Sequence, residues 1–321
     1  MRFEVSPRED TERLDRVLSA RIPGLSRMRL RLALDREEVR VNGLPRPAGW
    51  RVSAGDLVTA ELDLDEQSAM TPEEIPLRIY FEDDALAVVE KPAGMVVHPA
   101  GRHRSGTLAN ALAHHFNVLG GAEPPVRPGM VHRLDRSTSG LIVIAKTQRA
   151  LSRLTVQFQQ KQVEKRYLAL VHGAPEGEAG EWEAPIGSDP EAFPKWGIRE
   201  TGRPAHTRWR VVERLPEHTL LELEPVTGRT NQLRLHCAHF GHPIAGDDLF
   251  GRGSEPELGR LFLHAFRLVF THPVTSARME MESPLPPELE RYLALLRSRS
   301  GARGDTPRHA EIEQEIGFEE E

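Results

Sequence analysis

A single cysteine, Cys237, stands in a chain of 321 residues, which excludes an internal disulfide framework and a zinc site built from several cysteines. No apolar run approaches the roughly 20 residues that span a bilayer. The opening Met1-Arg-Phe-Glu-Val-Ser-Pro also lacks the apolar centre of a secretory signal, so a cytoplasmic protein is expected. Neither a glycine-rich P-loop nor a dinucleotide-binding glycine fingerprint is present. Lysine is scarce, five among 42 basic residues, a bias to which no functional weight attaches. Nor is there an overall excess of positive charge: the net charge of −6 does not announce a nucleic-acid partner. A hydrophobic fraction of 39% and a charged fraction of 28% are those of an ordinary soluble protein long enough for two domains.

Charge is distributed unevenly, and its placement matters more than the total. From Arg13 to Arg51 there are ten arginines against Asp15, Asp35, Glu37 and Glu38. Leu14, Val17 and Leu18 predict one helix ended by Pro23-Gly24, and Ser26 can cap a second helix from Arg27 to about Arg36. Asn42-Gly43 after Val39-Arg40-Val41 signals a hairpin. A charge run is most often a solvated helix face. Ten against four, with Arg27, Arg29, Arg31 and Arg36 on or beside one helix, also fits a surface that follows a phosphate backbone. Residues 63–76 are acidic, proline-containing and aperiodic, and read as a linker. Residues 300–321 form a polar, glutamate-rich tail expected to be disordered.

The stretch Gly129-Met-Val-His-Arg-Leu-Asp-Arg-Ser-Thr-Ser-Gly-Leu-Ile-Val-Ile-Ala-Lys-Thr147 couples a polar loop to an apolar run, Leu141 to Ala145, that reads as a strand buried on both faces. Asp135 is the only carboxylate between Glu123 and Glu164, amid Arg127, Arg133, Arg136, Lys146, Arg149, Arg153 and Lys161. Nearby positive charge should hold it ionised, which suits a nucleophile or electrostatic partner better than a general acid. The alternative is that Asp135 merely salt-bridges Arg133 or Arg136 to pin a loop.

His132-Arg133-Leu134-Asp135-Arg136, followed by Thr138-Ser139-Gly140 and the apolar strand, resembles the active-site motif of the RluA/RluD-type pseudouridine synthases. These enzymes isomerise selected uridines in ribosomal or transfer RNA. Lys165-Arg166-Tyr167-Leu168 resembles the family's tyrosine motif, which implies that the Tyr167 ring lies against the target uracil and its hydroxyl assists proton transfer. From the residues alone, a half-buried core tyrosine with its hydroxyl satisfied is the commoner case. Thr227-Gly-Arg-Thr-Asn-Gln-Leu-Arg-Leu-His236 resembles the third motif, which implies that Arg234 pairs with the catalytic aspartate. Asn231 stands where many relatives have histidine, and Ser137 where an acidic residue is frequent. Glu90-Lys91-Pro92-Ala93-Gly94 resembles an early motif and is read as scaffold shaping the cleft. Arg133 and Arg136 are expected to hold the displaced RNA strand through phosphate contacts. The N-terminal segment resembles the small RNA-binding domain named after ribosomal protein S-four.

The resemblance implies an α+β fold with a mixed, mainly antiparallel sheet, flanking helices and a central cleft, preceded by a small α/β RNA-binding domain. The expected division is 1–62 RNA-binding domain, 63–76 linker, 77–299 catalytic domain and 300–321 tail. Residues 173 to 202, rich in glycine and proline, are expected to be irregular, and Leu261 to Phe270 to form the final strand. The implied activity is isomerisation of uridines in large-subunit ribosomal RNA by a monomer, with Asp135 as nucleophile. The implied partner is RNA of the pre-ribosomal large subunit, with no membrane, cofactor or metal. A transfer-RNA-directed synthase, a non-catalytic rRNA-binding assembly factor and a nucleoside hydrolase are the alternatives. The spacing of His236, Cys237, His239 and His242 would permit a zinc site, but the motif they end needs no ion.

Overall fold

The structure, a computed structural model, describes residues 1–22, 30, 33–34, 37–61, 71–99, 105–119, 128–189, 191–192, 195–251, 253 and 255–301. The chain divides into two compact units, Met1–Ala69 and Met70–Glu321. Arg27, Arg29, Arg31 and Arg36, the expected phosphate-tracking residues, lie outside the described residues, as does the tail from 302 onward.

The first unit contains β1 (Arg2–Glu4), α1 (Leu14–Arg21), β2 (Val39–Val41), β3 (Leu44–Pro45) and β4 (Leu57–Ala60). Its strands pair antiparallel in the order β1-β4-β2-β3. The predicted hairpin turn is present: Asn42 and Gly43 both have positive φ, +52° and +80°, as the right-handed twist of a tight hairpin demands. Leu14, Val17 and Leu18 of α1 pack with Leu30, Ala33, Leu34, Val39, Val41 and Val58 in one core. Part of the arginine excess is neutralised locally, because Arg13, Arg16 and Arg21 pair with Asp15, Glu12 and Glu9.

The second unit opens with β5 (Arg78–Glu82), β6 (Leu86–Lys91) and α2 (Leu108–Ala113), whose end widens into a π-helical turn, His114–Leu119. Next come β7 (Gly129–Met130), β8 (Ser139–Ala145), α3 (Gln148–Gln159) and β9 (Glu164–His172). The chain continues through β10 (Ala179–Glu183), β11 (Ile186–Ser188), β12 (Trp196–Ile198), β13 (His206–Arg214), β14 (His218–Pro225) and α4 (Gln232–His239). It ends with β15 (Leu263–Thr271), β16 (Arg278–Glu282) and α5 (Pro287–Gly301). Ten strands form one sheet along the path β10-β13-β14-β9-β15-β8-β6-β5, with β16 beside β15 and β7 beside β8. The fold is α+β with a mixed, mainly antiparallel sheet.

Two antiparallel halves therefore meet at one parallel pair, β8 against β15, through Ser139↔His264 and Gly140↔Ala265. β8 is buried at every position, as its apolar run requires. Gly140 makes the join possible. Its φ is +124°, and a Cβ there would lie 2.3 Å from the Ala265 carbonyl oxygen. On one face of the sheet Leu141 and Val143 pack with Ala150 and Leu154 of α3. On the other, Ile142 and Ile144 pack with Leu108, Leu112 and Phe116.

Two expectations need correction. Residues 173 to 202 are not simply irregular: they contain β10, β11 and β12, short strands whose glycine-rich flanks hide the alternation. Leu263–Thr271 is not the last strand, because β16 follows it. Thr71 and Glu73, at the end of the acidic stretch, fall within the second unit and bond to its α2 region. Asn110 Nδ2 donates to the Thr71 carbonyl at 2.9 Å, and Gly106 N donates to Glu73 Oε2 at 2.8 Å.

Candidate active site

The loop that leads into β8 is fixed by its neighbours before any substrate is considered. Gly94 N donates to the Arg136 carbonyl at 2.7 Å, and Arg136 Nε donates back to the Gly94 carbonyl at 3.0 Å. Lys91, fully buried at the end of β6, places Nζ 2.8, 2.9 and 3.2 Å from the carbonyls of Pro92, Met95 and Arg136. Burial lowers its pKa to about 7; the Arg260 charge acts in the same direction and Asp135 opposes it. His132 stacks on Phe158 at 4.6 Å, and its Nε2 accepts from Val143 N at 3.0 Å. That bond requires an unprotonated Nε2, in keeping with a pKa pushed down to about 3, chiefly by burial and then by Lys165. Thr138 N closes the turn by donating to the Asp135 carbonyl at 3.1 Å.

Asp135 is half-buried in a cleft of about 760 Å³, lined among others by Arg133, Lys165, Tyr167, Arg229 and Gln232. Among the described residues, no hydrogen bond or ion pair engages its carboxylate. Burial raises its pKa. Arg234, Arg133 and Lys91 pull it down, and Asp247 adds to the rise. The arginines thus act in the expected direction, toward the ionised form, while burial outweighs them in the net shift. Tyr167, buried on β9, has its phenol pushed upward by burial first and then by the Asp135 charge, and it remains a neutral phenol at physiological pH.

Arg234 reaches the site from α4, whose first six residues are all buried. Its Nε and Nη2 donate to the two carboxylate oxygens of Asp247 at 2.8 and 2.6 Å, and its guanidinium lies 4.9 Å from the Phe250 ring centroid. The hydrogen bonds of Arg234 therefore go to Asp247, while its charge is the strongest of those lowering the Asp135 pKa. Asp247 is 1% exposed and also accepts from Leu249 N and Phe250 N, both at 3.0 Å. It is the main residue that sequence reasoning missed; the pair Asp247-Asp248 after Gly246 gives no periodic signal of a partner on another element.

Gln232 was missed as well. Its Oε1 accepts from Thr227 Oγ1 and Arg229 N at 2.7 and 3.0 Å, and its Nε2 donates to the His206 carbonyl at 2.9 Å. It thereby shapes the cleft wall ahead of α4, where Asn231 takes a left-handed conformation, φ +55°. Of the two expected phosphate ligands, Arg133 is exposed and lines the cleft; Arg136 is exposed but outside the lining, tied to Gly94. Lys161, Lys165, Arg208 and Arg229 add positive charge to the cleft wall. His236, Cys237, His239 and His242 do not converge on a common point among the described residues. His236 Nε2 lies 3.1 Å from the Ala184 carbonyl, His242 Nδ1 lies 3.2 Å from that of His172, and burial pushes the Cys237 thiol up.

The sequence model of a family described as RNA pseudouridylate synthase matches residues 85–239. An RNA pseudouridine synthase of Bacillus subtilis, YlyB, is 37% identical over 292 residues, covering 91% of this chain and 96% of that one. The chain belongs to the RNA pseudouridine synthase family. As a pseudouridine synthase it is an isomerase acting on RNA. The synthase is also 40% identical over 296 residues to the ribosomal large subunit pseudouridine synthase D of Nitrosomonas europaea, covering 89% of this chain and 85% of that one. Among solved structures, human RNA pseudouridylate synthase domain containing 4 superposes with a TM-score of 0.57 at 25% identity, covering 68% of the synthase and 93% of that chain.

Proposed function

We propose that this synthase converts uridines to pseudouridine in large-subunit ribosomal RNA, with Asp135 as the nucleophile, Tyr167 beside the reacting base and Arg234 balancing charge. The observation that carries the reading is the disengaged carboxylate. A loop-pinning aspartate would be held by Arg133 or Arg136, yet among the described residues Asp135 has no such bond and faces a cationic cleft. The reaction breaks the bond from C1′ to N1, turns the freed uracil, joins C1′ to C5, and moves the C5 proton to N1. Asp135 supplies the anionic oxygen for the cleavage, and the arginine at its side stabilises charge as it shifts. A neutral Tyr167 phenol can donate a proton or hydrogen bond to the base but is a poor proton acceptor. The target must leave its stack to reach the cleft, and Arg133, Lys161 and Arg229 on the cleft wall are placed to hold the flanking phosphates.

The ribosomal substrate rests on the names of relatives such as the large-subunit synthases D of Nitrosomonas europaea and Pasteurella multocida. In this reading residues 1–62, followed by a linker over 63–76, act as an RNA-binding arm for the catalytic domain over 77–299. The test is to incubate the protein and Asp135→Asn with unmodified large-subunit rRNA and with transfer RNA, and to map pseudouridines. New sites in the rRNA made only by the parent are expected. Sites confined to transfer RNA would overturn the substrate. Free uracil would indicate a hydrolase, and RNA binding without product an assembly factor.

A further inference from the structure

Far from the cleft, the sheet brings together three metal-ligating side chains that the isomerisation does not use. His172 ends β9 and His218 begins β14, and the two residues face each other directly in the antiparallel register, with ring centroids 4.7 Å apart. Glu255 comes from the segment between Asp247 and Phe262, with Oε1 3.1 Å from His172 Nε2 and 3.5 Å from His218 Nε2. All three donor atoms lie within 4.8 Å of one another. Tyr167 and His172 stand five residues apart on one strand, about 17 Å, so this cluster is separate from the active site.

We propose that His172, His218 and Glu255 form a binding site for one zinc ion. Tetrahedral zinc with bonds of about 2.0–2.2 Å sets its ligand atoms about 3.3–3.6 Å apart, and the two measured edges, 3.1 and 3.5 Å, already approach that spacing. His218 is 8% exposed, and its buried Nε2 aims into the cluster, where its 3.5 Å contact with Glu255 Oε1 falls short of well-aligned hydrogen-bond geometry. A metal would give that buried imidazole nitrogen a close, directed partner in place of its long contact with Glu255. The Glu255 carboxylate is oriented by the Tyr292 hydroxyl, which donates to Oε2 and leaves Oε1 toward the histidines. Two imidazoles and a carboxylate favour zinc over magnesium or calcium, which prefer all-oxygen sites. The ion would clip the segment from Asp247 to Phe262 to the sheet, and that segment begins at the partner of Arg234.

The untagged full-length protein, stripped with EDTA, is titrated with zinc chloride by calorimetry and with cobalt(II) by visible absorption. The expected result is one equivalent per chain at micromolar affinity or tighter, with the intense visible bands of tetrahedral cobalt. At about a hundredfold excess over Kd, zinc should raise Tm by about 5 °C or more. His218→Gln and Glu255→Gln should each weaken binding about tenfold or more. Glu257→Gln, an exposed neighbour paired with Arg299, should leave binding unchanged. Absence of saturable binding, undiminished affinity in both site variants, or a cobalt–thiolate band implicating Cys237 would overturn the proposal. If either variant fails to fold, cobalt-induced broadening of the His172 and His218 ring protons in the parent protein decides the matter: its absence overturns the site.

Discussion

Two residues separate the proposed chemistry from the scaffolding around it. Tyr167 reports its nearness to Asp135 through a phenol pushed upward by burial and by that carboxylate. Tyr167→Phe keeps the ring and removes the hydroxyl, so it should lower single-turnover pseudouridine formation about a hundredfold with RNA affinity and Tm unchanged. Loss of affinity instead would make the hydroxyl a binding group. Asp247 is different, because it holds Arg234 rather than the substrate. Asp247→Asn leaves a buried guanidinium without its counter-charge and should destabilise the fold by about 3–5 kcal/mol, measured by urea unfolding. Activity at low temperature, where the fold survives, should still fall about a hundredfold as Arg234 loses its bearing. The sequence showed Asp135, Tyr167 and Arg234 as candidates because each sits in a recognisable local pattern. Asp247 was invisible because what defines it is a contact with another element.

Among the elements, those with strong periodicity were legible and those defined by pairing were not. The β-branched run of β8 and the Leu151, Leu154, Phe158 spacing of α3 are visible in sequence and present in the fold. β16, Arg-Met-Glu-Met-Glu, carries charges on its exposed face and buries no residue completely, so its pattern is weak until β15 is placed beside it. β10 to β12 are hidden in the same way, their register set by β13 and by each other. A close backbone approach lies where β8 meets β15, and it yields the element-level prediction. Gly140→Ala combines a strained φ with a Cβ 2.3 Å from the Ala265 oxygen. It should destabilise the fold by more than the ~1–3 kcal/mol of backbone strain alone, seen as a lower urea midpoint, and displace the Asp135 loop with it.

For the whole molecule, buried imidazoles set the response to acid. His132 and His264 are pushed down to about 3 and about 4, in both cases chiefly by burial, against 6.5 in an unfolded chain. Between those values the unfolded chain binds protons that the folded one refuses. Stability is therefore complete above pH 6.5 and falls as pH drops toward 4, by about 1 kcal/mol per pH unit for each imidazole. Chemical unfolding followed from pH 7 to pH 4 checks this, and His132→Gln should reduce the slope, with the rest kept by His264 and by His98 and His236, which burial also lowers. A flat profile in the parent would mean that neither ring is held neutral.

The parallel seam between β8 and β15 unites residues 139 and 264. Long-range pairings of this kind form late, after the intervening loop has been closed. During synthesis the aspartate emerges early, but its seat is finished only when the far strand has cleared the exit tunnel. A nascent chain halted before Ala265 should therefore be unable to modify any RNA, including that of the particle translating it, so this catalyst stays silent until its catalytic half is nearly complete.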